Sequence, residues 1–336
     1  MRPKNKTKMI EVYLGFFGLL VLLVCLYCCL QTRTSERDKP TPPHTIELDV
    51  NPMTFEPTTR TFPGTEVPAR VVCTFYVPNV QQLDRTLQES LNSWRTDETG
   101  FKPDIVYYND THAREFLAHH FAQEGGAEAW DALVPGAFKA DVFRICEIFV
   151  NGGLYCDIKC TRIAPFAALV GSHGTITLDQ LEMGLWNGFF AAPPRAVWVG
   201  ACVARILANV RNRSRGTSML DITGPSAMGR SFRVQASLSE NTPSCEFVRK
   251  ATLDDWSWYQ QSERIRIIAM RALDTQAFDV VSGPFAPQPA FRTDNEAYRI
   301  PRRVDNPKLH YGFAYENNLM YVADTRLKNK QEEDDY

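Results

Sequence analysis

The stretch FKADVFRICEIFVNGGLYCDIKC, from Phe138 to Cys160, constrains the fold more than any other part of the chain. Its first half has a helical period. Val142, Ile145 and Phe149 lie on one face, while Asp141 and Arg144, three residues apart, share another. Gly152 and Gly153 then end the helix and turn the chain, because glycine alone takes positive φ freely. Beyond the glycines the residues alternate with a period of two. A strand is expected there, with Leu154, Cys156 and Ile158 on one side and Tyr155, Asp157 and Lys159 on the other. One acid–base pair on the helix and another on the strand can thus converge on one cleft. Taken singly, each pair reads as a structural ion pair; taken together across a double glycine, they read as a site.

The preceding residues supply the elements around it. ARVVCTFYV (Ala69 to Val77) is rich in β-branched and aromatic residues and predicts a first strand. Leu83, Leu87 and Leu91 predict an amphipathic helix ending near Trp94. DIVYYND (Asp104 to Asp110) reads as a second strand, and THAREFLAHHF as a helix capped by Thr111. A Gly-rich loop and a helix over Phe138 to Val150 come next. This alternation predicts a parallel, Rossmann-like α/β sheet, whose ligands bind beyond the carboxyl ends of the strands. His112, His119 and His120 fall near the ends of one helix and read as surface residues. There is no internal repeat, serine-hydrolase elbow, Walker loop or G-x-G-x-x-G.

The N-terminus departs from this globular pattern. Val12 to Leu30 runs 19 residues without a charge, which at about 1.5 Å per helical residue matches the roughly 30 Å hydrocarbon core of a bilayer. Arg2, Lys4, Lys6 and Lys8 precede it, whereas the far side mixes Arg33, Glu36, Arg37, Asp38 and Lys39. That asymmetry predicts a cytoplasmic tail over 1–8, an uncleaved signal anchor over 9–30 and the remainder outside the cytosol. Seven prolines between Pro40 and Pro68 make 31–66 a flexible stem. A luminal domain then spans 67–325 and a charged tail 326–336. This outline is that of a single-pass type II protein of the Golgi or another secretory-pathway membrane; a stalk-borne surface receptor shares it. Lysine and arginine (37) nearly balance aspartate and glutamate (39), which argues against a nucleic-acid partner.

Of nine cysteines, three lie in the apolar run and six beyond it, an even number that permits up to three disulfides in an oxidising lumen. On a continuous strand Cys156 and Cys160 would be about 13 Å apart, beyond disulfide reach. Zinc at Cys156, Cys160 and His173 is poorly supported, because no second ligand pair has finger-like spacing. Sequons at Asn109 and Asn212 fit a luminal domain.

KADVFR followed seven residues later by GGLYCDIK resembles the core of glycosyltransferase family 32, the DXD-containing sugar transferases. VPARVVCTFY and NSW resemble the family's opening strand and first helix end. WNGFFAAPP and DITGP resemble later blocks, and His310 a C-terminal histidine. The resemblance covers roughly residues 67 to 322. It implies a GT-A fold, a Rossmann-type mixed sheet flanked by helices, and retaining transfer of a hexose. The donor would be a GDP- or UDP-sugar and the acceptor a glycan or glycolipid.

On the same resemblance, Asp141 and Arg144 hold donor-sugar hydroxyls, and Asp157 contacts the ribose or a metal, Mn2+ or Mg2+. Gly152, Gly153, Tyr155, Asn187, Thr223, Gly224 and His310 complete the donor-binding set. Where the family has its second metal-binding Asp, this chain has Lys159. A leaving diphosphate needs positive charge, and an ammonium can supply it directly, which leaves metal dependence open. The alternative to an enzyme is a protein on the same fold that binds a sugar or a partner without turnover.

Overall fold

The structure is a computed structural model that describes residues 59–179, 184–235, 265–273, 277–282, 288–294 and 310–322. The apolar run at 12–30, most of the expected stem, Cys245 and the charged tail lie outside the described residues, and among those residues no helix is long and apolar enough to cross a membrane.

Nine strands are described: β1 (Arg70–Thr74), β2 (Asp104–Tyr108), β3 (Gly153–Cys156), β4 (Cys160–Arg162), β5 (Thr175–Leu178), β6 (Phe189–Ala192), β7 (Arg266–Leu273), β8 (Ala277–Ser282) and β9 (Gln288–Asp294). They form one mixed sheet in the order β2-β1-β3-β6-β5-β7-β8-β9-β4. β1 lies between β2 and β3 and is parallel to both, in line with the alternation of strand and helix in that half. Beyond β3 the parallel expectation holds only between β5 and β7. β6 runs antiparallel to β3 and β5, and β8 and β9 extend the sheet antiparallel. Only ten residues separate β5 from β6, and a parallel crossover needs about a dozen or more.

Eight helices occur among the described residues: α1 (Arg85–Asn92), α2 (Asp110–His120), α3 (Gly126–Ala132), α4 (Gly136–Asn151), α5 (Phe166–Leu169), α6 (Val197–Arg211), α7 (Pro225–Gln235) and α8 (Tyr311–Glu316). Val72 of β1, Val106 of β2, Phe143 and Ile148 of α4, and Val199 and Ile206 of α6 share one buried core. Each such side chain contributes about 1.5–3 kcal/mol by leaving water.

Local chemistry sets the ends of these elements. Asp84 caps α1 by accepting from the Leu87 N–H at 3.0 Å. Asn109, not Thr111, caps α2, accepting from His112 N–H at 2.9 Å while its amide donates to Pro78 O at 3.0 Å. The chain leaves β2 at Tyr108, so the first residue after the strand takes the cap. Part of the expected glycine-rich loop is helical, because the helix formers after Gly125 continue into α3. The last residues assigned to the stem are packed: Phe62 is fully buried against Phe101 and Phe166.

Gly152 and Gly153 end α4 with φ of 66° and 111°. A Cβ on Gly153 would lie 2.5 Å from Arg70 Cγ, so glycine is required there by conformation and by space. Arg70 is itself buried. It pairs with Glu147 at 2.6 Å and donates to Gly152 O at 3.0 Å, which ties β1 to the end of α4. Cys73, Cys146, Cys156, Cys160 and Cys202 are buried free thiols. Burial pushes the thiols of Cys73 and Cys202 up to about 12. No disulfide therefore joins any two of these five, although the reason is not strand spacing, since Cys156 and Cys160 flank a turn.

Candidate active site

α4 carries Asp141 and Arg144 on one face, and β3 brings Tyr155 beneath them. The strand expected to continue through Lys159 stops at Cys156. Its pairing ends there: β1 pairs as far as Tyr155 and β6 as far as Cys156. Asp157 N–H donates instead to Gly188 O at 2.7 Å, and Cys160 N–H closes a turn onto Asp157 O at 2.8 Å. Lys159 thus reaches Asp157 from within a turn, not along one face of a strand. The Trp94 indole braces the far end of the turn by donating to Cys160 O at 2.7 Å.

The four charged groups form one network. Arg144 Nη1 lies 3.1 Å from Asp157 Oδ1 and donates to Asn187 O at 3.1 Å, while Nη2 lies 3.5 Å from Asp141 Oδ1. Its guanidinium sits 4.7 Å above the Tyr155 ring, and the Tyr155 hydroxyl donates to Asp157 Oδ1 at 3.2 Å. Lys159 Nζ lies 3.3 Å from Asp157 Oδ2. Asn187 donates to Asp141 Oδ1 at 2.9 Å and Thr223 to Asp141 Oδ2 at 3.0 Å. Gly224 borders the same oxygen, since a Cβ there would come within 3.4 Å of it. The side chains of Arg144 and Lys159 are 8% and 17% exposed, so salt screens these pairs far less than surface bridges.

The two carboxylates respond differently. Burial raises the pKa of Asp141 above the ordinary carboxyl value, despite Arg144 and the hydrogen bonds from Thr223 and Asn187. Burial also works against the Asp157 charge. Arg144 and Lys159, helped by the hydrogen bonds from Lys159 and Tyr155, overcome it and hold its pKa below the ordinary value.

Of the residues expected at the site, Asp141, Arg144, Tyr155, Asp157, Lys159, Asn187, Thr223 and Gly224 come together. Gly152 and Gly153 lie at the helix–strand junction, packed on Pro194 and Arg70. His310 is exposed and caps α8, its Nδ1 accepting from Gly312 N–H at 3.2 Å, and that helix packs on the turn Met219–Asp221 ahead of Thr223. His173 pairs with Glu66 at 3.3 Å, and no group of three or more His, Cys, Asp or Glu able to hold a metal occurs among the described residues. His119 and His120 are exposed, as expected. Sequence reasoning missed Gly188, whose carbonyl fixes Asp157, and Trp94; the signal lay in the blocks WNG and NSW.

A cluster of one buried acid–base pair, Asp141 and Arg144, and one half-buried pair, Asp157 and Lys159, with an amide and a hydroxyl fixed on Asp141, can bind neutral hydroxyls and an anion side by side. No family model matches the chain, and no curated protein matches it. Among solved structures, the PaToxG glycosyltransferase is similar at 13% identity and a TM-score of 0.37, over 50% of this chain and 70% of that one. Mouse xyloside xylosyltransferase 1, in its apo form, is similar at 9% identity and a TM-score of 0.29, over 51% of this chain and 83% of that one.

Proposed function

We propose that the chain is a glycosyltransferase of GT-A type, related to family 32, that moves a hexose from a GDP- or UDP-sugar to a glycan or glycolipid with retention. The observation that carries this reading is the convergence of Asp141, Arg144, Asp157 and Lys159 beside the carboxyl end of β3. In the sheet order β2-β1-β3 successive strands are added first on one side of β1 and then on the other, and open α/β sheets bind nucleotides at such a reversal of strand order. Tyr76, 55% exposed just past β1, offers the nucleobase a ring.

In this reading Asp141 accepts hydrogen bonds from donor-sugar hydroxyls, oriented by Asn187 and Thr223, and Arg144 fixes the sugar against Asp157. Transfer breaks the bond from the anomeric carbon to the phosphate oxygen, and that oxygen leaves with the electron pair. The acceptor hydroxyl oxygen bonds to the same carbon, and its proton passes to the departing diphosphate. The Lys159 ammonium stands where the negative charge develops.

The same geometry bears on the Mn2+ or Mg2+ that a DXD motif implies. Asp157 has a cation on each oxygen, and Asp141 accepts from Asn187 and Thr223. Two engaged carboxylates flanked by two cations do not fit a hard divalent ion that takes six or more oxygen ligands. No step of the proposed transfer therefore runs through a metal. Membrane anchoring by 9–30 and residence in the Golgi or another secretory-pathway membrane belong to the same proposal.

The test is nucleotide release by the full-length chain from a panel of UDP- and GDP-sugars, with Asp157→Asn as control. Release by wild type and its loss in the variant support the enzyme. The pairwise saturation of all four charges favours one rival, a binding protein without turnover. That rival predicts a higher melting temperature with UDP or GDP and no release from any donor.

A further inference from the structure

One wall of the site has no role in the proposed transfer. Trp186 is partly exposed and caps a column of aromatic rings. It stacks on Phe291 with centroids 5.9 Å apart and planes at 21°, and Phe291 stacks on Phe189 at 4.2 Å. Phe189 in turn meets Trp94 at 5.9 Å. Those three inner rings are buried, so Trp186 is the end of the column that reaches solvent. Its backbone N–H is fixed to Thr177 O at 2.7 Å. A ring held this way, and partly open to solvent, has little rotamer entropy left to lose on binding.

The ring borders the charged network. A Cβ on Gly188 would lie 2.5 Å from Trp186 Cε2 and 2.8 Å from Asp157 Oδ2, so the indole and the carboxylate crowd the same glycine. Trp186 also leads into β6, which lies on the opposite side of β3 from β1. The nucleotide end of the cleft, at β1, and the indole therefore flank the charged pocket on opposite sides.

We propose that Trp186 is the stacking platform for a pyranose of the acceptor, an inference that rests on the glycosyltransferase reading. The C–H face of a pyranose lies flat on the indole, and its ring hydroxyls face the charged pocket. The indole face then selects acceptors by the face of the sugar they present, separately from donor recognition by Asp141 and Arg144.

The test uses full-length chain labelled with 5-fluorotryptophan, which has six tryptophan resonances, the Trp186 signal being assigned by its loss in Trp186→Phe. Methyl glycosides of galactose, glucose, N-acetylglucosamine and mannose are titrated in the presence of UDP or GDP. At least one should shift the Trp186 resonance saturably. Kinetics on that sugar should show an acceptor KM raised about tenfold in Trp186→Ala, with an intermediate rise in Trp186→Phe. Donor hydrolysis to water should fall less than the acceptor KM rises, in Trp186→Phe above all, since the indole face meets only the acceptor. A resonance that moves with UDP or GDP alone and with no glycoside overturns the proposal, as does an unchanged acceptor KM in Trp186→Ala. If wild type releases nucleotide from no donor, the transferase reading fails, and the glycoside shift alone decides whether Trp186 holds a pyranose.

Discussion

At Asp141 the pocket holds a charge that burial disfavours, because its pKa is raised in the folded chain. Between the unfolded carboxyl value of about 3.9 and that raised value, the folded state binds more protons, so stability falls as the pH rises through the window. Asp141→Asn removes this cost. It should melt at or above wild type at neutral pH, with the difference shrinking below about pH 4, while transfer drops about 10- to 200-fold through loss of a charged hydrogen bond. Asp157 is depressed, so its stabilisation is present above about pH 3.9 and is lost as the pH falls through the folded value. Asp157→Asn should therefore melt lower at neutral pH; melting curves of both variants against pH check the opposed signs. Lys159 occupies Asp157 Oδ2, so only its replacement would open that oxygen to a metal. Lys159→Ala should lose most activity in chelator, and Lys159→Asp should become dependent on manganese, as nucleotide release against manganese would show. The four charges were legible in one short stretch of sequence. The grip of Asn187 and Thr223 on Asp141 was not, because those contacts span 46 and 82 residues and leave no local pattern.

The helix, the double glycine and the start of β3 were legible because each rests on local chemistry: a 3.6-residue period, positive φ, then alternation. The end of β3 was not, since a strand ends where its neighbours stop pairing, and periodicity carries no information about neighbours. For the same reason the parallel set β2-β1-β3 could be read from the spacing of its elements, and the mixed remainder of the sheet could not. The α4–β3 junction also shows which glycine the element depends on. At Gly153 a methyl group meets Arg70 Cγ in a conformation that L residues rarely adopt. Gly153→Ala should cost about 1–3 kcal/mol of backbone strain, together with the displacement of Arg70. Glu147→Gln leaves the buried Arg70 charge without its counter-ion and should cost about 3–5 kcal/mol. Urea unfolding midpoints rank the two, and because neither residue touches the four charges, activity per folded molecule should change less than stability.

On the scale of the whole molecule, the proposed type II topology is one that glycans would report, and the fold distinguishes the two sequons. The Asn109 amide is committed to capping α2 and holding Pro78 O, whereas Asn212 is exposed at the end of α6. A glycan on Nδ2 of Asn109 would crowd Pro78 O, to which that nitrogen donates, while Oδ1 could still cap α2. Glycopeptide mass analysis of chain made in a secretory host should therefore find Asn212 occupied and Asn109 bare, and an unmodified Asn212 would count against the type II orientation. The five sealed thiols have a separate consequence for how the protein matures. With no cross-link among them, this packing owes nothing to an oxidising milieu, so dithiothreitol should leave the melting curve where it was. Buried and held in the protonated form, these sulfurs are also poor nucleophiles until the domain opens. The rate at which iodoacetamide consumes them would then serve as a clock for global unfolding.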